Sequence, residues 1–299
     1  MNTTRTQTPS PVTGATGVSP SVAGRSAANL TADNLRFLCH TIYSESGIVL
    51  DESKSYLLEA RLLPVAREEG ESTLDGLCNL VRAAGGRRLR DKVVEALTTN
   101  ETLFFRDIKP FEALEKLLIP ELMAPRAATR QLRFWCAACS TGQEPYSLAM
   151  LWREMNIPGW QIDILATDLA DNVLERARAG RFQQLEVNRG LPAKYLVKYF
   201  RRDGMTWEIS ADIRNMVRWQ KFNLKDSMAG MPAFDVVFCR NVLIYFDLQT
   251  KQSILANLRK VLRPGGYLIL GASETTLNVD DSYVRKQLGP AIFYQTPPK

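Results

Sequence analysis

The chain reads as a doubly wound, mostly parallel α/β domain that carries a small antiparallel β insertion and follows a small all-α domain. Three observations predict it. From about Gln131 onward, short apolar runs with strand character alternate with longer segments of helical period. Between Leu30 and Leu97 only the helical period is present. Between Arg181 and Phe222 the alternation breaks, and two short runs there could pair as a hairpin.

Residues 1–28 consist largely of Thr, Ser, Pro, Ala and Gly, which cannot bury enough apolar surface to offset the entropy of ordering, so a disordered tail is expected. The all-α domain, 29–97, rests on three apolar sets: Leu35, Phe37, Leu38 and Ile42; Tyr56, Leu57, Leu58, Leu62 and Leu63; Leu74, Leu77, Leu80 and Val81. Gly47, Gly70 and the Gly85-Gly86 pair punctuate them. The α/β domain, 98–299, has a connecting helix around Pro110 to Leu122 and strands expected at Gln131–Cys136, Trp160–Ala166, Phe234–Cys239, Tyr267–Leu270 and Ile292–Tyr294. Helices are expected at Pro145–Met155, with Pro145 as the first helical residue, and at Asn172–Ala179 and Leu248–Leu262. The insertion is placed at 181–222, with Trp207–Ser210 pairing antiparallel to Met216–Trp219.

Composition narrows the function classes. Apolar residues make up 45% and charged residues 23%, as in an ordinary globular protein, and no run is long and apolar enough to span a bilayer or act as a secretory leader. A cytoplasmic protein is therefore expected. The five cysteines are odd in number and scattered, which suits free thiols. Cys136 and Cys139 form a C-x-x-C without a second Cys/His pair at metal spacing, so no metal is expected. The net charge of +6 leaves acidic proteins, phosphorylated ligands and nucleic acid open as partners.

The chemistry concentrates where strands end. The first strand runs into Cys136-Ala137-Ala138-Cys139-Ser140-Thr141-Gly142-Gln143-Glu144-Pro145, a loop of small residues opening a helix, as at the nucleotide crevice of a doubly wound sheet. Only Gly142 stands where a pyrophosphate loop needs three glycines, which favours an adenosine ligand without a pyrophosphate. Glu144 would repel phosphate and attract an ammonium group. Asp168 leaves the second strand where an acidic residue can take both ribose hydroxyls, although an Asp there is also commonly a helix N-cap. Arg240 and Asn241 follow the strand Phe234–Cys239 and are candidate ligand contacts. Tyr245 is either within reach of the reacting centre or a core aromatic. Thr98-Thr99-Asn100-Glu101-Thr102-Leu103-Phe104-Phe105-Arg106, by composition alone, is an N-cap before an amphipathic helix.

Taken together, the motifs Thr98-Thr99-Asn100-x-Thr102-x-Phe104-Phe105-Arg106, Ser140-Thr141-Gly142-Gln143-Glu144-Pro145-Tyr146-Ser147, Thr167-Asp168 and Cys239-Arg240-Asn241-Val242-Leu243-Ile244-Tyr245-Phe246 resemble those of CheR, the chemoreceptor glutamate O-methyltransferase family of bacterial chemotaxis. The likeness extends to Gly47–Leu50 and to Leu262-x-Pro264-Gly265-Gly266, covering about residues 30–297. It implies a Rossmann-like methyltransferase domain that uses S-adenosylmethionine and releases S-adenosylhomocysteine. It further implies that Asn100, Thr102, Arg106, Glu144, Asp168, Asn223, Leu224, Arg240 and Asn241 line the cofactor site, and that Arg106 and Tyr245 sit beside the transferred methyl. The insertion would be the family's β-subdomain. Its turn, Arg201-Arg202-Asp203-Gly204-Met205-Thr206, is short and has one Gly, so binding of a receptor C-terminal pentapeptide is not expected.

The implied acceptor is a glutamate on the helical cytoplasmic domain of a chemoreceptor, which an ionised carboxylate can serve as nucleophile without a general base. That fits a chain whose single histidine is His40. Lys54, Arg61 and Arg67 are the expected receptor-facing cations; without the resemblance they could equally form a solvated charged face. A monomer that neither binds nucleic acid nor inserts into a membrane is expected. An RNA methyltransferase would interleave aromatic and basic residues on a binding face, which 54–92 does not. A binding-only module would not need Arg106 and Tyr245.

Overall fold

The computed structural model describes residues 1, 30–51, 55–83 and 86–298. The expected tail, apart from Met1, and Lys54 lie outside the described residues.

Four helices form the N-terminal domain: α1 (Ala32–Ser46), α2 (Ser55–Glu68), α3 (Leu74–Arg82) and α4 (Arg87–Leu97). Thr31 caps α1 through its side chain and Gly47 ends it in the left-handed conformation, while Thr73 caps α3. Their apolar stripes close one core around Leu38, Ile42, Leu58, Leu62, Leu77 and Val93. Pro64 lies inside α2 and the helix continues through it. His40 is exposed on α1.

The connecting helix comprises α5 (Lys109–Ala113), a π-helical turn (Leu114–Leu118) and α6 (Ile119–Met123). The α/β domain follows as β1 (Gln131–Ala137), α7 (Gln143–Met155), β2 (Gln161–Asp168), α8 (Asp171–Ala179), β3 (Arg181–Gln183), α9 (Gln184–Asn188), α10 (Ala193–Tyr199), β4 (Phe200–Asp203), β5 (Thr206–Ile209), α11 (Ala211–Arg214), β6 (Val217–Lys221), β7 (Phe234–Cys239), α12 (Leu248–Val261), β8 (Leu262–Leu270), β9 (Val284–Leu288) and β10 (Ala291–Gln295). Seven strands make one sheet in the order β6-β2-β1-β7-β8-β10-β9, parallel from β6 to β8, with β10 antiparallel to both neighbours.

Burial on both faces explains why the central strands read as apolar runs. Every residue of β7 is buried. Alternate side chains of β1 feed opposite cores: Phe134 packs with Tyr146 and Ile164 on one face, Trp135 with Val237 and Leu258 on the other. Asp235, fully buried near the start of β7, accepts hydrogen bonds from Arg126 Nε (2.7 Å), Arg263 Nη1 (3.1 Å) and the Arg133 amide (2.8 Å). The chain winds outward from β1 in one direction to β2 and β6, and from β7 in the other to β8. Loops at the carboxyl ends of β1, β2 and β7 therefore meet at a topological switch point.

Two expectations are corrected. Met216–Trp219 does not pair with Trp207–Ser210. Val217–Lys221 is the parallel edge strand beside β2, with Val217 opposite Ile164 and Lys221 opposite Asp168. The antiparallel sheet is instead β3-β5-β4 and ends at Ile209, short of the 222 expected, with the two residues Gly204-Met205 joining β4 to β5. Period-two alternation marks a strand but does not name its partner. Pro145 is the third residue of α7, not the first, because the helix begins at Gln143. Either position is tolerated, since the first four helix amides have no intrahelical acceptor.

Candidate active site

The loop after β1 is held open by backbone conformation. Ala138, Ser140 and Gly142 all have positive φ, 56°, 51° and 93°, so successive peptide units turn sharply between strand and helix. Only glycine fits the last of these: a Cβ on residue 142 would stand 2.9 Å from the Trp219 ring and 3.0 Å from Ala177 Cβ. Asp168, at the end of β2, accepts from the Ser140 amide (2.8 Å) on one oxygen and from the Ala170 amide (3.0 Å) on the other. Each carboxylate oxygen keeps an acceptor site for a ligand hydroxyl. Burial raises the pKa of Asp168, against the lowering pull of these amides.

Arg240 emerges from β7 with its side chain only 2% exposed. It donates to Glu144 Oε2 (2.9 Å), to the Arg106 carbonyl (2.8 Å) and to Asp107 Oδ2 (2.8 Å), tying the loop after β7 to the start of α7 and to the segment before α5. Burial pushes the pKa of Glu144 up, and the Arg240 charge and hydrogen bond pull it back. The segment before α5 is not the capped helix that composition suggests; it is a loop ending in turns. Phe104 anchors it edge-on against Phe182 (5.0 Å) and Phe200 (5.6 Å), and Phe105 stacks on Tyr195 (4.9 Å). Its other end is fixed by Ser140 Oγ donating to the Asn100 carbonyl (2.8 Å).

These loops line a cleft at the carboxyl ends of the strands, where a doubly wound sheet binds its ligand. Asn100, Thr102, Arg106, Glu144, Asp168, Asn223, Leu224, Arg240, Asn241 and Tyr245 all line it. Arg106 is half-buried and donates to the Glu101 carbonyl (3.1 Å). Tyr245 ends a 3₁₀ turn, Leu243–Tyr245, and its carbonyl accepts from the Val49 amide (2.9 Å). Asn223 also reaches across to the helical domain. Its Nδ2 donates to the Glu45 carbonyl (2.7 Å), which together with Tyr43 OH donating to Asp247 Oδ2 (2.6 Å) joins the two domains.

Other placements were not legible in the sequence. Ser46 and Ile48 of the helical domain form part of the cleft wall, as do Phe222 and Phe246. Arg61 donates from Nη1 to the carbonyls of Leu97 and Thr98 (both 2.9 Å), so its guanidinium closes the end of α4. Arg67 is exposed at the end of α2, outside the cleft. Cys136, Cys139 and Cys239 are buried free thiols whose pKa burial raises well above the ordinary value, which keeps them protonated and unreactive. Among the described residues no group of three or more His, Cys, Asp or Glu side chains could hold a metal ion, and no helix is long and apolar enough to cross a membrane.

Residues 100–288 match the model of the CheR methyltransferase SAM-binding domain, and residues 33–98 that of the CheR methyltransferase all-alpha domain. The chain belongs to the CheR methyltransferase family. It is 42% identical over 274 residues to chemotaxis protein methyltransferase Cher2 of Pseudomonas putida, covering 89% of this chain and 99% of that protein. Chemotaxis protein methyltransferase 1 of Pseudomonas aeruginosa matches at the same identity and coverage. The chemotaxis protein methyltransferase of Vibrio parahaemolyticus is 38% identical, covering 90% of this chain and 98% of that protein. S-adenosylmethionine is thus the methyl donor, and the cleft fits it. The cleft presents the carboxylates of Asp168 and Glu144, and two buried polar side-chain atoms of its lining, Asn241 Oδ1 and Arg240 Nε, have no protein partner.

Proposed function

We propose that this CheR-family protein transfers the methyl group of S-adenosylmethionine to glutamate side chains on the helical cytoplasmic domain of bacterial chemoreceptors, as part of sensory adaptation. The products would be a glutamate methyl ester and S-adenosylhomocysteine. The carrying observation is a cleft whose lining includes Arg106 and Tyr245 but no histidine. Such a site suits an acceptor that is already anionic at neutral pH and needs alignment, not deprotonation.

In this reading Asp168 takes the ribose hydroxyls, Glu144 holds a cationic group, and Asn100, Thr102, Asn223, Leu224 and Asn241 complete the cofactor wall. When bound, S-adenosylmethionine supplies an electrophilic methyl carbon on a sulfonium sulfur. Arg106 keeps guanidinium donors beyond its bond to the Glu101 carbonyl and orients the acceptor carboxylate with them. Its hold must stay modest, because the carboxylate loses charge as it reacts and tight binding would favour the ground state. Tyr245 bounds the approach to the methyl. The half-buried site limits competing water.

The receptor-facing cations are Lys54, Arg61 and Arg67. Arg61 also closes α4, so Arg67 is the cleaner position to test. The two-residue turn between β4 and β5 supports a mode of action that does not depend on a receptor pentapeptide. A cytoplasmic, monomeric enzyme that neither enters the membrane nor binds nucleic acid completes the proposal. Incubation with methyl-labelled S-adenosylmethionine and receptor-containing membranes tests it. Label released by mild alkali as methanol is the expected result; label on the receptor that survives alkali would exclude a carboxyl ester.

A further inference from the structure

The loop that carries Arg240, Asn241 and Tyr245 is shaped by a residue outside the cleft. β7 and β8 are parallel neighbours that end together, Cys239 opposite Leu270. The chain leaving β8 turns at once, the Glu274 amide donating to the Gly271 carbonyl (2.9 Å). This folds the Glu274 side chain back toward the loop that leaves β7. Its Oε2 accepts from the amides of Asn241 and Gly271 (both 2.7 Å), and its Oε1 from Val242 (2.9 Å), Leu243 (2.7 Å) and Ile244 (3.3 Å). Four consecutive amides thus converge on one carboxylate, forming the kind of backbone nest that binds an anion.

Two features show what this anchoring does. Asn241 is held at φ 57°, a left-handed conformation that Asn adopts more readily than other side-chain-bearing residues, and the bond from its amide to Glu274 helps fix it there. Its side-chain Oδ1 is buried without a protein partner and the residue lines the cleft, so the loop that Glu274 holds presents an open acceptor toward the cofactor. Gly271 makes room for this: a Cβ there would stand 2.6 Å from Asn241 Nδ2 and 2.8 Å from Glu274 Oε2. The same amides begin the 3₁₀ turn that ends at Tyr245. Glu274 itself has no acceptor capacity left, since a carboxylate offers about four lone-pair sites and five amides already point at it.

We propose that Glu274 is a positioning residue of the methyl-transfer site, acting through the Asn241–Ile244 amides to set where Asn241 and Tyr245 face the cofactor. This rests on the placement of Asn241 against S-adenosylmethionine given above. Glutamine at 274 keeps the length but turns an NH₂ group toward amide donors, so the nest loses its anion.

The test is calorimetric titration of S-adenosylhomocysteine into the full-length protein and its Glu274→Gln, Asn241→Ala and doubly substituted forms. Each single substitution is expected to weaken binding about tenfold, and Glu274→Gln to add no more than about twofold once Asn241 is alanine, since coupled residues are not additive. Losses that multiply, or unchanged affinity in Glu274→Gln, would overturn the proposal. Unchanged affinity in Asn241→Ala would instead refute the placement of Asn241 at the cofactor, and a loss confined to Glu274→Gln would then contradict the route through Asn241 as well. Gly271→Ala, which keeps the charge but crowds both partners, repeats the test if Glu274→Gln does not fold.

Discussion

Replacing Arg240 with methionine removes the group that joins the loop after β7 to the start of α7 and the segment before α5, while keeping a side chain of similar length. Arg240 makes three hydrogen bonds of 2.8–2.9 Å, two of them to carboxylates, and is almost fully buried. Deleting one partner of a buried ion pair leaves the other charged and desolvated, at a cost of about 3–5 kcal/mol. For a domain of this size that corresponds to a midpoint lower by roughly 6–20 °C. The pH dependence is more specific than the magnitude. Burial already raises the pKa of Glu144, and Arg240 is the chief influence opposing it. Without Arg240 the folded-state pKa of Glu144 rises further above its unfolded value. The folded form then binds more protons than the unfolded chain, so stability falls as pH rises through that interval and returns as pH falls. The deficit of Arg240→Met should therefore be largest at neutral pH and shrink in mild acid, and Glu144→Gln should restore part of it. Denaturant unfolding across a pH series measures both. A deficit below about 1 kcal/mol, or one independent of pH and of Glu144→Gln, would refute the ion-pair account.

Gly142→Ala should destabilise by about 1–3 kcal/mol, since φ 93° and the Trp219 ring both oppose a side chain, and should weaken S-adenosylhomocysteine binding in calorimetry. Asp168→Asn should lower that affinity by roughly ten- to a hundredfold, the worth of one charge-assisted hydrogen bond. Because burial raises the pKa of Asp168, wild-type affinity should decline on acidification at a pH above the ordinary aspartate range, and Asp168→Asn should lose that dependence. Asp235→Asn should cost about 2–4 kcal/mol in unfolding experiments by weakening the buried cluster with Arg126 and Arg263, while cofactor affinity stays unchanged.

Legibility followed the physics of each element. Phe234–Cys239 was readable to the residue because a strand buried on both faces is a nearly continuous apolar run, broken here only by Asp235, whose carboxylate is paired with Arg126 and Arg263. Asp168 and Arg240 stood out as polar groups breaking such runs at strand ends, where a doubly wound sheet binds its ligand. Val217–Lys221 was recognisable as a strand, but its partner depended on α11 turning the chain back toward β2. The Thr98–Arg106 loop has no period to read; its shape comes from Phe104 and Phe105 seated among distant aromatics. Arg61 looked like a surface cation because nothing in the sequence places the end of α4 beside it. Glu274 left one trace, an acidic residue three positions beyond the glycine that ends β8, and only the fold brings Asn241–Ile244 within its reach.

The central claim is that Arg106 and Tyr245 present an anionic side chain to the methyl donor. Mass-spectrometric mapping of receptor peptides after reaction with unlabelled S-adenosylmethionine tests this most directly. Methyl groups on glutamate side chains, sharply reduced with Arg106→Ala while S-adenosylhomocysteine still binds, are the predicted result. Methylation elsewhere on the receptor, or glutamate methylation undiminished in Arg106→Ala, would contradict it.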